Sequence, residues 1–386
     1  MISTMFRQGF RPFFLAAAAW ACVSLCLWVL WITGYISLGV GDPLRWHAHE
    51  MLFGYTGAAI TGFILTAIPN WTRRLPVSGG PLALLVLIWA AGRVAFLMQD
   101  QLGAPVVMAV DVFFPAVVFG IVLREIVAGK NWRNLPVAAI LGVYMAANAV
   151  DHLSTMDIIA DDRIGQRMGL AVIIMLIGLI GGRVVPSFTG NWLNKQGADV
   201  LPVPFSGYDK VSLVVLLAAL VSWCVVPDHM ASGWMLVIAG ICHGVRLIRW
   251  RGYAACTEIL VLILHVGYGW IALGLSLLGL EIVWPDGLPL SGLHAITAGG
   301  IATMTLAMMT RASLGHTRQG LTAGPGTIAI YALVTMGAVL RVLVPVFPSE
   351  AFQSILGVSA IFWGAGFALF VVVYAPLLSG TKSQDD

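Results

Sequence analysis

The chain has 386 residues, of which 59% are hydrophobic and only 10% are charged, and its formal net charge is +3. A soluble domain carries about a quarter charged residues, so this composition excludes an ordinary soluble enzyme and favours a protein that spans a lipid bilayer. The small net charge gives no support to nucleic-acid binding. Backbone groups in lipid must pair internally, and the apolar runs lack strict alternation, so they predict α-helices rather than a β-barrel.

The hydrophobic pattern predicts an all-α polytopic membrane protein, a single transmembrane domain over residues 1–386. About twelve transmembrane helices are predicted, in chain order 13–33, 47–68, 82–98, 104–123, 136–152, 168–188, 211–227, 232–249, 256–280, 290–310, 326–346 and 353–378. Asp42 and Pro43 are expected to be the N-cap and first residue of the second helix. We expect no cleavable signal peptide, because the first apolar run follows Arg7 and Arg11 and continues into further spans.

Basic residues alternate between the predicted loops. The N-terminus and the loops after the even-numbered spans carry the basic residues Arg7, Arg11, Arg73, Arg74, Arg124, Lys130, Arg133, Lys195, Lys210, Arg249, Arg251, Arg311 and Arg318. In the loop after the sixth span, Asp199 and Asp209 balance the two lysines. The other loops are acidic or nearly neutral. By the positive-inside rule, both termini are predicted to be cytoplasmic.

The sequence also indicates an internal repeat. Residues 69–72 (PNWT) and 186–189 (PSFT) each end a predicted span, about 117 residues apart, and residues 310–313 (TRAS) match them more weakly. This spacing predicts three units of four helices, 1–130, 131–252 and 253–386. A composition shared by cytoplasmic helix ends is the alternative explanation.

Histidines are concentrated in the predicted spans. The chain has eight, and about six lie inside the spans or at their ends, where a titratable ring is costly. The predicted depth in the membrane divides these histidines into two groups. An outer layer contains His47, His49, His152 and His294, and a pair near mid-membrane consists of His243 and His265. Imidazole is the commonest metal ligand, so we expect at least two of these rings to bind metal. The alternative for each is a hydrogen-bonded core residue.

Helical geometry limits how these rings can converge. His47 and His49 are separated by about 200° around a helix, so both cannot face one site unless the helix end frays. Glu50 shares the face of His47 and is a candidate to orient the ring or to bind a proton. Tyr268 follows His265 by one turn, which predicts either a phenol beside a metal or a packing contact.

Among the other ionisable residues of the apolar spans, four lie in the middle or outer half of the membrane: Arg93, Asp111, Asp151 and Arg341. Asp111, like Glu50, is a candidate proton relay, and the arginines are candidates to bind an anionic cofactor group. The alternative is that these residues form internal ion pairs between helices.

Several motifs together resemble the NnrS family. They occur in order along the chain, at residues 11–14 (RPFF), 47–55 (HAHEMLFGY), 62–72 (GFILTAIPNWT), 182–189 (GRVVPSFT) and 308–317 (MMTRASLGHT). The family commonly has HTGR where this chain has residues 316–319 (HTRQ), which puts the role of that loop in doubt.

The resemblance implies a multi-pass protein of the bacterial inner membrane that contains haem and copper and is linked to nitric oxide metabolism. The three-by-four repeat is similar to that of haem–copper oxidases and nitric oxide reductases. No Cys-x-x-Cys-His motif is present, so a non-covalent, b-type haem is expected. The outer-layer histidines become candidate haem ligands, with Arg93 and Arg341 anchoring its propionates. His243 and His265 become candidate copper ligands.

The resulting hypothesis is a haem–copper oxidoreductase that reduces nitric oxide to nitrous oxide, with Glu50 and Tyr268 as catalytic residues. No fused electron-donor domain is evident, so a quinol or a separate redox protein is expected to supply electrons. One alternative is a non-enzymatic haem- or copper-binding protein that acts as a sensor, a sink or a metal-delivery factor. A second is a transporter, which predicts six-plus-six pseudosymmetry and no bound chromophore.

Overall fold

The computed structural model describes residues 2–287 and 289–381, and these residues form helices without strands. Twelve helices are long and apolar enough to cross a membrane. They are α1 Phe10–Ile32, α2 Pro43–Thr72, α3 Gly80–Leu97, α4 Ala104–Ala128, α5 Trp132–Thr155, α6 Ile164–Lys195, α7 Gly207–Val225, α8 Met230–Arg249, α9 Ile259–Val283, α10 Gly292–His316, α11 Pro325–Val346 and α12 Ser349–Ser379. The predicted all-α polytopic fold is confirmed.

Local sequence sets where several helices begin. The Asp42 carboxylate accepts hydrogen bonds from the backbone N–H groups of Leu44 (2.8 Å) and Arg45 (3.3 Å), and Pro43 is the first helical residue of α2. The predicted cap is therefore confirmed. A capping box formed by Ser206 and Asp209 begins α7. Shorter helical segments are Ile2–Met5, Gln99–Leu102 and Gly252–Ala255.

Three of the long helices contain a π-helical segment. These segments are Glu50–Tyr55 in α2, Ile177–Gly181 in α6 and Ala295–Ile301 in α10. Each adds residues to a turn and rotates the following side chains relative to a regular α-helix, and such segments are frequent at functional sites. They occur in the second helix of each predicted four-helix unit, which favours the repeat.

The chain divides into two compact units. The first comprises residues 1–172, 312–319 and 370–386, and the second comprises 173–311 and 320–369. Each unit has its own apolar core. That of the first includes Phe13, Trp46 and Phe53, and that of the second includes Leu236 and Leu264. Each unit also buries a cluster of ionisable side chains. The three-unit division by sequence remains a prediction.

Candidate metal centre

The first unit brings together two histidines and an aspartate from three helices. His49 lies at the junction of the first turns of α2 with the π-helical segment, Asp111 lies in α4, and His152 lies near the end of α5. The Nε2 atoms of both histidines lie 3.0 Å from Asp111 Oδ2. All three side chains are buried, and one potential ligand atom from each lies within 4.8 Å of the others. We call these residues the His–Asp–His cluster.

His49 has a carboxylate at both ring nitrogens. Its Nδ1 lies 2.7 Å from Asp151 Oδ2, while its Nε2 faces Asp111. A neutral imidazole has one N–H group and one lone pair, so it cannot donate to both carboxylates. The contacts are satisfied if one of the three side chains carries an additional proton, or if a metal cation lies between Nε2 and Asp111 while Nδ1–H donates to Asp151. The second arrangement is typical of metal sites, where a histidine that binds the metal through one ring nitrogen donates a hydrogen bond to a carboxylate from the other.

Arg93 holds the carboxylates on the other side of the cluster. Its guanidinium donates to Glu50 Oε2 (2.5 Å) and to Asp111 Oδ1. Trp20 Nε1 also donates to Glu50 Oε2, at 2.6 Å. Asp111 thus uses one oxygen for Arg93 and presents the other to the two histidines.

The charges around this cluster do not balance. Three buried carboxylates, those of Glu50, Asp111 and Asp151, lie near two guanidinium groups, those of Arg93 and the 17%-exposed Arg45. One negative charge therefore remains to be compensated by a further cation or a proton. Burying an uncompensated charge is costly, so either a bound cation or a proton would stabilise this arrangement.

The second unit contains a different buried cluster. Tyr268 Oη lies 2.6 Å from His243 Nδ1 and accepts a hydrogen bond from Arg246 Nη1 at 2.8 Å. Arg246 also donates to Asp209 Oδ1 (3.0 Å) and to the carbonyl of Gly178 (3.1 Å), which lies in the π-helical segment of α6. We call Asp209, Arg246, Tyr268 and His243 the tyrosine cluster. All four side chains are buried.

The other predicted mid-membrane histidine, His265, bonds to a different hydroxyl group. Its Nε2 lies 2.9 Å from Thr189 Oγ1, which in turn donates to the carbonyl of Val185 (2.9 Å). The Thr189 hydroxyl therefore accepts from His265, so Nε2 carries a proton. His243 and His265 each use a ring nitrogen for a hydroxyl contact, and their assignment to copper remains a prediction.

The remaining predicted ligands and anchors lie elsewhere. The half-buried His47 ring stacks on Trp28, with ring centroids 4.2 Å apart, and so diverges from His49 as the helical period predicts. His294 belongs to the second unit, and its Nδ1 contacts Ser291 Oγ at 2.8 Å. Arg341 is half-buried in α11 of the same unit.

Sequence reasoning missed Asp209 and Arg246 as parts of a site. Asp209 lies in the predicted loop after the sixth span, but its position three residues after Ser206 matches a capping box. Arg246 lies one turn after His243 within a predicted span, and an arginine there is itself a signal of a buried partner. Trp20, which donates to Glu50, gave no distinguishing signal because tryptophans are common in membrane helices.

The His–Asp–His cluster has donors that suit a transition metal. Two imidazoles and a carboxylate are ligands for copper, iron or zinc. The Asp151 contact supplies the outer hydrogen bond that such a site needs. For haem, the fitting feature is the His294–Ser291 contact, because a hydrogen bond at Nδ1 would orient the ring and leave Nε2 to bind iron. Arg93 fits a propionate anchor poorly, because its guanidinium is already bonded to Glu50 and Asp111.

Fold and site together define a multi-pass helical membrane protein with a buried cluster of side chains that could hold a metal ion. The sequence matches the NnrS protein family over residues 4–382, nearly the whole chain. The chain is therefore a member of the NnrS family. A search of curated proteins finds no match.

Proposed function

We propose that the protein is a metal-dependent oxidoreductase that reduces nitric oxide to nitrous oxide within the membrane. NnrS family membership links the chain to nitric oxide. The reaction balances when two molecules of nitric oxide, two electrons and two protons give one nitrous oxide and one water. The observation that carries the proposal is the buried His–Asp–His cluster with its uncompensated negative charge.

His49, His152 and Asp111 are proposed to hold the metal, which we take to be copper. When bound, copper supplies one-electron redox chemistry and a coordination position for a small ligand. Asp151 orients His49 through Nδ1, and Arg93 fixes the carboxylate plane of Asp111. These outer contacts keep the ligand atoms aimed at one point.

Glu50 is proposed to carry a proton at the edge of the cluster. Its side chain is fully buried, and Oε2 accepts from Arg93 and Trp20. Its Oε1 atom has no hydrogen-bond partner among the residues that the structure describes. In the resting protein Glu50 is one of the three carboxylates, and Oε1 is the atom proposed to take up a proton during turnover and to donate it to the reaction.

Aromatic rings surround the histidines and exclude water. Phe96 lies 4.6 Å from His49 and 5.4 Å from His152, and Phe53 lies 5.0 Å from His49, measured between ring centroids. Nitric oxide is small and apolar, so it can reach such a site through the bilayer. Charged or strongly hydrated competitors are excluded by the cost of desolvation.

Haem is the second proposed cofactor, with His294 as a ligand. His47 is proposed as a further haem ligand, and Arg341 is proposed to bind a haem propionate. A quinol or a separate redox protein is proposed as the electron donor. The proposed location is the bacterial inner membrane with both termini in the cytoplasm, which rests on the loop charges.

The test is to supply nitric oxide and a reductant to the purified protein in lipid nanodiscs and to measure nitrous oxide. We expect many turnovers per protein and their loss in His152→Asn. The matched control is His229→Asn, because His229 caps α8 outside the cluster, where asparagine also caps well. Binding of nitric oxide without nitrous oxide production would contradict the enzyme and favour a sink or sensor.

A visible spectrum of the same preparation tests the haem assignment. His294→Ala is expected to abolish haem absorbance while membrane insertion is retained. An unchanged spectrum would contradict the role of His294. Absence of any chromophore in the wild-type protein would favour the transporter alternative.

A further inference from the structure

The tyrosine cluster of the second unit places a buried phenol against an imidazole. The Tyr268 and His243 side chains have no exposed surface, and the 2.6 Å separation between Tyr268 Oη and His243 Nδ1 is short for a neutral hydrogen bond. Arg246 Nη1 approaches the same phenol oxygen at 2.8 Å. The phenol is therefore held by two partners of different kinds.

The partners fix the direction of the phenol hydrogen. A guanidinium only donates, so Tyr268 Oη must accept from Arg246. If His243 donated from Nδ1, the buried phenol hydrogen would have no acceptor among the residues that the structure describes, so the phenol donates to the Nδ1 lone pair. This is the arrangement required for a proton to leave the phenol when an electron leaves the ring.

The charge of Arg246 is balanced locally. Its Nε donates to Asp209 Oδ1 at 3.0 Å, and Asp209 is also bonded to the backbone N–H of Ser206. The four residues of the tyrosine cluster therefore sum to zero charge when both rings are neutral, and the 27%-exposed Arg249 lies 3.9 Å from Asp209 Oδ2. Loss of an electron alone would leave a phenol radical cation, which is a strong acid. Transfer of its proton to His243 moves the positive charge to an imidazole, which is a much stronger base than the oxidised phenol.

A second oxidisable ring adjoins the phenol. Trp250 makes an edge contact with Tyr268, with centroids 4.5 Å apart, and the Arg246 guanidinium lies 5.2 Å from the Trp250 ring. Trp250 is the C-cap of α8, at the end of a transmembrane helix. This position provides a route for an electron between Tyr268 and the end of the span.

We propose that Tyr268 and His243 form a proton-coupled redox pair, with Arg246 and Asp209 as positioning residues. In the step, the Tyr268 O–H bond breaks and the proton moves to His243 Nδ1. The electron passes to a one-electron oxidant, an oxidised transition-metal centre. The products are a neutral phenoxyl radical, an imidazolium and the reduced metal centre. This proposal is independent of nitric oxide reduction, and it is an alternative to copper ligation by His243.

The experiment uses the full chain in nanodiscs, treated with hexachloroiridate(IV) and frozen rapidly for electron paramagnetic resonance. We expect a tyrosyl radical signal in the wild-type protein and its loss in Tyr268→Phe. Tyr144→Phe is the matched control. Tyr144 is also buried, but its hydroxyl donates to the carbonyl of Leu52, which does not take up a proton.

His243→Asn provides a second test, because it keeps the phenol and removes the proton acceptor. We expect loss of the signal in this variant too. A radical that persists in Tyr268→Phe, or that has an unchanged yield in His243→Asn, would overturn the proposal. A folded wild-type protein that gives no radical would also overturn it.

Discussion

The two buried clusters differ in how they handle charge. The His–Asp–His cluster lies among three carboxylates and two guanidinium groups. The tyrosine cluster pairs one carboxylate with one buried guanidinium and ends in two neutral rings. The first arrangement has one carboxylate more than it has guanidinium groups. In the second, Asp209 faces the buried Arg246 and the 27%-exposed Arg249, so it needs no further cation. The same residue type, histidine, therefore suits metal binding in one unit and a hydroxyl contact in the other.

Removal of Arg93 should have the largest effect on stability. Arg93→Met leaves the buried Glu50 and Asp111 carboxylates without their cation, which is expected to cost about 3–5 kcal/mol of unfolding free energy. The measurement is reversible unfolding in detergent. Arg74→Met is the control, because the side chain of Arg74 is 44% exposed in its pair with Glu125 and should cost about 1 kcal/mol or less. Equal losses in both variants would show that Arg93 is not compensating buried charge.

The outer contact of His49 should affect metal affinity. Asp151→Asn weakens the hydrogen bond that orients the ring, so we expect copper affinity to fall by roughly 10–100-fold. Competition with a chelator of known affinity measures the change. Asp228→Asn, in an exposed loop, is the control. If Asp151→Asn does not change the copper affinity, the metal does not bind at His49.

The tyrosine cluster requires close packing of α6 against Arg246. A methyl group on Gly182 would come within 2.1 Å of Arg246 Nη2. Gly182→Ala should therefore cost about 1–3 kcal/mol by displacing the guanidinium. Gly120→Ala is the matched helical control, because no other group lies within 4 Å of the added methyl. A Gly182→Ala variant as stable as the control would show that the guanidinium has room to move.

The ion pair between Asp161 and Arg167 at the surface should contribute least to the stability of the protein. The Asp161 side chain, which pairs with Arg167, is 40% exposed. Partial burial raises the pKa of Asp161, but hydrogen bonds from the Arg163 backbone N–H and the Arg167 guanidinium outweigh this effect and lower the pKa below its usual value. A lowered folded-state pKa adds stability above the unfolded pKa of about 3.9, and this is lost as the pH falls through the folded value.

Asp161→Asn should thus cost about 1 kcal/mol or less at neutral pH and nothing at strongly acidic pH, measured by thermal melting. Asp162→Asn is the control, because its carboxylate is 72% exposed. If the stability lost in Asp161→Asn were the same at every pH, the ion pair would not be the source of the stabilisation.

The sequence was sufficient to predict the twelve helices and the Asp42 cap, because hydropathy and capping are local properties. It also identified His49, His152, Asp111, Arg93 and Glu50 as candidates. Their convergence could not be predicted, since it depends on packing between α2, α3, α4 and α5. The π-helical segment at Glu50–Tyr55 was not predicted either, and it rotates side chains away from the faces expected for a regular helix.

The tyrosine cluster shows the same limit. A period of 3.6 residues placed Tyr268 on the face of His265, but the hydroxyl bonds to His243 on another helix. Partners on separate helices follow from tertiary packing, which spacing along one helix does not reveal.

The most direct test of the central claim is the copper content of the purified protein after reconstitution with copper. We expect one firmly bound copper that is lost in Asp111→Asn and in His152→Asn but retained in His243→Asn, with x-ray absorption showing imidazole ligands. Copper retained in a folded Asp111→Asn, His152→Asn double variant would contradict a metal centre at the His–Asp–His cluster.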